Sequence, residues 1–196
     1  MQSTRQRILD ISIDLFSQYG FKEVTMRQIA GEVGIKASSL YKHYESKEAL
    51  LESIFALFRD KLRQTELDVP EFKSLREYFT LAYEQFKEIM WEPTVLKIAK
   101  IITMEQLHSS SVRAFLVEEM IVKPVQATIY VLEMMKVQGL IRDIDARVIA
   151  EEYCAYIVYL YFEQNFLHTE PSLAVIDEKM KQHNDFFVRH ILKQGE

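Results

Sequence analysis

The segment Thr25–Lys47 constrains the fold more than any other stretch of this chain. Thr25 and Gln28 form the T-x-x-Q pattern of a capping box, which begins a helix by satisfying two of its free amide donors. Gly34 then provides a residue that can adopt the left-handed conformation in which many helices end. A second short helix is expected to follow and to end near Tyr44. The segment therefore predicts two short helices joined by a tight turn, the arrangement of a helix-turn-helix.

The outward face of the second helix is polar and carries no acidic residue before Glu45. The residues of this face are Lys36, Ala37, Ser38, Ser39, Tyr41, Lys42, His43 and Tyr44. Small side chains let a helix approach base edges in a major groove, while Lys, Ser and Tyr can bond phosphate or base atoms. The face therefore predicts contact with duplex DNA. Two alternatives stay open, because Tyr41 could be half-buried packing and His43 could brace the turn.

The first fifty residues resemble the N-terminal domain of the tetracycline-repressor (TetR) family. The resemblance is carried by Arg7-Ile8-Leu9, Leu15-Phe16, Tyr19-Gly20-Phe21, Thr25-Met26-Arg27-Gln28-Ile29-Ala30, Val33-Gly34-Ile35, Leu40-Tyr41-Lys42-His43-Tyr44 and Ser46-Lys47-Glu48-Ala49-Leu50. It implies an all-α fold, with a three-helix helix-turn-helix domain followed by a helical domain for effector binding and dimerisation. Lys36 stands where the family usually has a Ser or Thr cap, and Ser38 where Gly or Pro is frequent. The operator sequence is therefore not inferred.

The resemblance also implies roles for individual residues. Phosphate contacts are expected from Thr25, Tyr41, Tyr44 and Lys47. Groove contacts are expected from Lys36, Ala37, Ser38, Ser39, Lys42 and His43, and Arg27 is included among the DNA-binding residues. The implied function is a sequence-specific regulator, a repressor by the family's usual habit, that binds a palindromic operator as a dimer and is released by a small-molecule effector.

Few helix-breaking residues and a high apolar content favour long helices. The 196 residues include five Gly and four Pro, and 48% of them are hydrophobic. The first helix is expected over Thr4–Tyr19, with Ser3 as its cap and Gly20 as its stop. Its inward row is expected to contain Ile8, Ile11, Leu15, Phe16 and Tyr19. We expect a helix-turn-helix domain at residues 1–46 and a second domain at residues 47–196.

Apolar spacing of three and four residues predicts the remaining helices. A fourth helix is capped by Ser46. The others are expected over Glu71–Met90, residues 94–107, Val112–Val137, Asp145–Phe166 and Pro171–Leu192, which makes about nine helices in total. Pro124 should kink or split the helix expected over Val112–Val137, because it lacks an amide hydrogen.

Charge and cysteine content agree with a cytoplasmic DNA-binding protein. The net charge is −5, but residues 1–63 hold ten Lys/Arg against eight Asp/Glu, and residues 64–196 hold fourteen against twenty-one. The acidic remainder should therefore stay away from phosphate. No apolar run is long enough for a membrane span or signal peptide, and the single Cys fits a reducing compartment. We expect a cytoplasmic location and no membrane partner.

The last two long helices carry enough apolar residues to predict a homodimer. The residues that suggest this are Ile149, Tyr153, Tyr156, Ile157, Leu160 and Tyr161 on one helix, and Ile176, Met180, Phe187 and Ile191 on the other. The resemblance implies the same interface, formed by two helices from each subunit. The alternative is that these residues form the core of a single chain.

Soft and aromatic side chains among a few polar groups are typical of a small-molecule site. The candidate effector-binding residues are Trp91, Met104, Glu105, His108, Tyr130, Met134, Tyr153 and Tyr156. The alternative is ordinary core packing, since aromatic stripes at helical spacing are usually core.

The sequence offers no convincing catalytic or metal site. Glu105 and His108 have helical spacing without a third ligand nearby, and Cys154 lies in an apolar run, where a buried structural thiol is expected. We therefore expect neither an enzyme nor a cofactor nor a bound metal. The alternative function is a helical protein-interaction module that no longer binds DNA.

Overall fold

A computed structural model of the chain describes residues 3–63, 74–167 and 172–191. Within these ranges the fold is all-α, as predicted, and no strand is formed. The helices are α1 (Thr4–Tyr19), α2 (Met26–Val33), α3 (Ala37–Tyr41), α4 (Lys47–Arg63), α5 (Leu75–Met90), α6 (Pro93–Glu105), α7 (Ser110–Val117), α8 (Lys123–Val137), α9 (Ala146–Phe166) and α10 (Leu173–Ile191). A π-helical turn joins α7 to α8 without a break, so the described ranges hold nine helices if this run counts as one.

Local hydrogen bonds set the ends of the first helices where the sequence predicts them. Ser3 accepts the Gln6 amide of α1 through its side chain, and Gly20 ends that helix. Both hydrogen bonds of the capping box between Thr25 and Gln28 are present. Gly34 ends α2 in the left-handed region, at φ 78° and ψ 32°. The predicted turn between two short helices is confirmed.

The inward row of α1 differs from the expected one. Ile8 and Phe16 are fully buried as predicted, but Ile11 and Leu15 are only half-buried and Tyr19 is exposed. The other buried residues of α1 are Leu9, Ser12, Ile13 and Ser17. Ser12 can be buried because its hydroxyl donates a 2.7 Å hydrogen bond to the Ile8 carbonyl. The sequence prediction counted apolar residues only and therefore missed this serine.

The second short helix, α3, is shorter than predicted. It ends at Tyr41 rather than near Tyr44. The His43 amide donates to the Leu40 carbonyl at 2.9 Å, three residues back, which tightens the backbone into a turn. The chain direction therefore changes before Tyr44.

The chain folds into two compact units. The first unit comprises Met1–Glu66 and Lys87–Phe115, and the second comprises Leu67–Phe86 and Leu116–Glu196. The predicted boundary between residues 46 and 47 is a division by function, and it stays a prediction.

In the first unit, α6 packs against both α1 and α4. Lys97 on α6 pairs with Asp14 on α1 at 2.6 Å. Lys61 on α4 pairs with Glu92 at 2.7 Å, and this hydrogen bond holds the pKa of the Glu92 carboxyl below its usual value. The three-helix segment is thus braced by a helix that lies much further along the chain.

The core of the second unit contains most of the apolar residues that suggested a dimer. Buried residues of α9 include Tyr153, Leu160 and Tyr161, and those of α10 include Ile176, Met180, Phe187 and Ile191. For these residues the single-chain core is the correct interpretation. A different set of apolar residues on α9 and α10 remains exposed.

Pro124 is accommodated by a change of helical type rather than by a break. The turn Glu118–Val122 is π-helical, and the Lys123 amide donates to the Glu118 carbonyl five residues back. The extra residue in this turn shifts the hydrogen-bond register just before the proline. The predicted interruption is therefore present in the form of a π-helical turn. Predicted helix ends at residues 71, 171 and 192 lie outside the described residues.

Candidate nucleic-acid interface

The polar face of α3 is accessible in the structure. Ser38, Lys42 and His43 are exposed, and Tyr41 exposes 52% of its surface, so half-buried packing of Tyr41 stays an alternative to a DNA contact. The remaining members of the face are exposed Lys36 and the partly exposed Ala37 and Ser39. Leu40, fully buried, anchors the opposite side of the helix. The α3 helix thus presents small, basic and hydroxyl-bearing groups to solvent.

The turn that holds α3 is fixed by backbone and side-chain hydrogen bonds. The Ile35 amide donates to the Ala30 carbonyl at 2.9 Å, and the Gly34 amide bonds to the last turn of α2. Arg7 on α1 donates a 2.8 Å hydrogen bond to the carbonyl of Val33, the final residue of α2. These contacts satisfy carbonyls that a helix end leaves free, and they hold the turn against α1.

Two candidate DNA-binding residues lie at the start of α2. The Thr25 hydroxyl accepts from the Gln28 amide at 3.2 Å and donates to the Gln28 side-chain oxygen at 2.9 Å. Its capping role therefore competes with any phosphate contact. Arg27 is exposed one residue into the helix. DNA contact by either residue stays a prediction.

Tyr44 does not share the exposed face to which the sequence assigned it. Only 4% of its surface is exposed, and the Arg5 guanidinium lies 5.3 Å from its ring centroid. Because the helix ends at Tyr41, the chain has turned by the time it reaches Tyr44. The interpretation of Tyr44 as an outward residue is wrong, and its phosphate contact stays a prediction.

The Lys47 side chain donates hydrogen bonds to groups within the protein. Its ammonium donates to the carbonyls of Phe21, Val24 and Lys22 at 2.7, 2.9 and 3.3 Å. The same nitrogen lies 4.4 Å from the Phe21 ring centroid. No sequence pattern indicated these contacts, since the partners lie more than twenty residues earlier.

The candidate effector-binding residues fall in both compact units. Trp91, Met104, Glu105 and His108 belong to the first unit, and Tyr130, Met134, Tyr153 and Tyr156 belong to the second. Glu105 and Tyr153 are buried, whereas His108 and Tyr130 are exposed. The predicted effector site stays a prediction.

In the second unit the structure brings Tyr153 and Tyr156 together around His183. The His183 ring stacks on Tyr156 with centroids 4.1 Å apart and on Tyr153 at 5.2 Å. Its Nε2 atom is buried and has no hydrogen-bond partner among the described residues. Burial lowers the pKa of His183 from 6.5 to about 4, so the ring is neutral at pH 7.

His183 was not predicted from the sequence, although a signal for it existed. His183 lies three residues after Met180 and four before Phe187, the spacing of the inward face of α10. The adjacent Asn184 is also buried, and its side-chain oxygen accepts a 3.0 Å hydrogen bond from the Tyr153 hydroxyl. Polar residues at apolar positions of a helical pattern would have identified both.

The structure also gives information on the Cys154 thiol, on metal ligands and on membrane-spanning helices. Burial raises the pKa of the Cys154 thiol to about 11, which keeps it protonated and unreactive. In the parts of the chain that the structure describes, no three His, Cys, Asp or Glu side chains gather as metal ligands. The described helices include none with the length and apolarity required to cross a bilayer.

Comparison with known proteins finds a family match for the N-terminal residues. Residues 8–54 match the family model of bacterial regulatory proteins, tetR family. The N-terminal segment of the chain is therefore similar to the TetR family. The matched residues run from α1 through the helix-turn-helix into α4, so they include the whole exposed face of α3.

The curated relatives that match this chain carry the names of transcriptional regulators. The regulator YerO of Bacillus subtilis is 33% identical over 95 residues, which are 45% of this chain and 33% of YerO. The repressor KstR2 of Rhodococcus jostii is 41% identical over 58 residues, which are 30% of this chain and 28% of KstR2. The aligned part of the chain thus spans about a third of the length of these relatives.

Solved structures resemble this chain over nearly its whole length. A protein of Saccharomonospora viridis crystallised in complex with choline has a TM-score of 0.73 and 20% identity. The match covers 97% of this chain and 98% of that one. At this identity the likeness concerns the fold alone.

Proposed function

We propose that this chain is a sequence-specific DNA-binding transcriptional regulator that acts as a repressor. The observation that carries the proposal is the exposed, acid-free face of α3, held on a capped and glycine-ended scaffold. The face lies inside the segment that matches the TetR family. In this role Ser39 and Lys42 read base edges, and Tyr41 holds a phosphate.

We propose further that the chain binds a palindromic operator as a dimer. A single helix-turn-helix reads few base pairs, so two copies of α3 are needed, about 34–36 Å or a multiple apart. Exposed apolar residues of the second unit support a dimer face. Val148, Ala155, Tyr159 and Phe162 fall on one side of α9, and Val175 and Phe186 fall on one side of α10.

Release by a small-molecule effector completes the proposal. Support comes from the stacked rings of Tyr153, Tyr156 and His183, with a buried nitrogen that has no partner among the described residues. A protein of the same fold was crystallised with choline. An effector must bind the released form more tightly than the DNA-bound form, or DNA affinity will not change. A thermal-shift screen with apolar, cationic and acyl compounds, paired with DNA release, tests this step.

Binding assays on variants of the α3 face test the DNA-reading role. Duplexes recovered by the wild-type chain from a random pool serve as the probes. Tyr41→Ala should weaken binding to all duplexes by a similar factor, while Ser39→Ala and Lys42→Ala should change which duplexes bind best. Unchanged affinity and preference in all three variants would exclude α3 as the recognition helix.

A further inference from the structure

Lys47 carries its charge at a position where a helix disfavours a cation. It is the first residue of α4, and the free amides of a helix N-terminus already present partial positive charge. A solvent-exposed lysine there would be repelled by these amides. Contacts with electron-rich groups are therefore needed to offset the repulsion between the Lys47 ammonium and these amides.

Those contacts come from the segment that leads into α2. The carbonyl oxygens of Phe21, Lys22 and Val24 lie 2.7, 3.3 and 2.9 Å from the Lys47 nitrogen. An ammonium group has three hydrogens, so three carbonyls can use all of its donors. The Phe21 ring, 4.4 Å away, adds a cation–π contact on the same nitrogen.

We propose that Lys47 is a positioning residue that fixes the segment Phe21–Val24 to the start of α4. In this arrangement a phosphate could bond the ammonium only by displacing a carbonyl. The family resemblance, by contrast, implies a phosphate contact. Thr25, the cap of α2, follows Val24 directly, so Lys47 holds the capped end of α2 near the start of α4. In this proposal a displacement of the start of α4 would reach the segment Phe21–Val24 through this side chain as well as through the backbone between α3 and α4.

Amide hydrogen exchange on the free protein tests the positioning role without DNA. Lys47→Met removes the three hydrogen bonds, and Lys47→Arg keeps the charge but replaces a compact ammonium with a planar fork that cannot direct donors to all three carbonyls. Both variants should speed exchange at Gln28 and Ile29 by about tenfold, the effect expected from losing a charged hydrogen bond.

Lys22→Met is the matched control, because it removes an exposed lysine charge from the same segment and leaves the Lys22 carbonyl in place. It should leave the exchange at Gln28 and Ile29 unchanged. Exchange within twofold of wild type in folded Lys47→Met or Lys47→Arg would overturn the proposal. If Lys47→Met does not fold, Lys47→Arg decides alone.

A second arm of the experiment rests on the proposed function and uses a duplex selected by the wild-type chain. A phosphate contact contributes about 0.9 to the slope of log affinity against log salt. We expect both Lys47 variants to bind more weakly with an unchanged slope. A slope reduced by about one in Lys47→Met, with wild-type affinity in Lys47→Arg, would overturn the positioning role. If no duplex is selected, the proposed function fails, and the exchange arm still decides the role of Lys47.

Discussion

Gly34 is the residue on which the turn between α2 and α3 depends, because its backbone lies in the left-handed region at φ 78°. Gly34→Ala should lower the free energy of unfolding by about 1–2 kcal/mol, since an L side chain is strained there. Gly31 provides the matched control. It lies inside α2, and a Cβ there would meet no described atom within 4 Å. Gly31→Ala should raise the free energy of unfolding by about 0.5–1 kcal/mol. Urea denaturation followed by circular dichroism measures the free energy of unfolding of both variants. An equal change in Gly34→Ala and Gly31→Ala would refute the role of Gly34.

His183 should make stability depend on pH below neutrality. Burial lowers its pKa from 6.5 to about 4, so the unfolded chain binds more protons between these values. Stability from this group is present above pH 6.5 and is lost as the pH falls towards 4. Denaturation at several pH values should show a smaller loss of stability in His183→Gln than in wild type. His108→Gln, which removes an exposed imidazole, should behave like wild type. An unchanged pH profile in His183→Gln would contradict the account.

Single residues could be predicted where their chemistry is local. The caps at Ser3 and Thr25 and the stop at Gly34 depend on partners within four residues, and the structure has all three. Lys47 could not be predicted, because its partners are backbone carbonyls that look alike in any sequence. Tyr44 was misplaced because its orientation depends on where α3 ends.

At the scale of helices, α9 depends on its cap at Asp145. The Asp145 carboxylate accepts from the Arg147 and Val148 amides at 3.0 and 3.3 Å. Asp145→Ala should lower the free energy of unfolding by about 1 kcal/mol, because the first amides of α9 lose their acceptor. Asp145→Asn is the control, since asparagine caps as well as aspartate. Chemical denaturation measures the free energy of unfolding of both variants. Equal losses in Asp145→Ala and Asp145→Asn would show that the charge of Asp145, and not its capping hydrogen bonds, stabilises α9.

Helix positions followed from the apolar spacing, but the junctions between helices did not. The sequence predicted that Pro124 would interrupt a long helix, since proline cannot donate to the preceding turn. A kink, a break and a π-helical turn all satisfy that requirement. The structure has the π-helical turn, which packs against α9, and no local sequence pattern displays that contact.

At the scale of the whole molecule, the all-α architecture followed from the scarcity of glycine and proline and from helical periodicity. The grouping into compact units did not follow, because α6 packs against α1 across many intervening residues. The proposed dimer face shows the same limit. Both faces of α9 are apolar, and the sequence alone could not distinguish the buried face from the exposed one.

Phe186 tests the proposed dimer, since it lies on the exposed face of α10 with 56% of its surface accessible. Phe186→Glu should shift the chain towards monomer, because a charge would be buried at the interface between two copies. Val137→Glu is the control and places a charge at an exposed apolar residue at the end of α8. Light scattering coupled to size-exclusion chromatography measures the mass. A wild-type chain that is monomeric at working concentrations would contradict the dimer.

The symmetry of the DNA that the wild-type chain selects from random duplexes tests the central claim most directly. A dimer that inserts two copies of α3 should recover an inverted repeat, with half-sites centred about one helical turn or a multiple apart. Recovery of no preferred sequence at low salt, or of single half-sites without symmetry, would contradict the account.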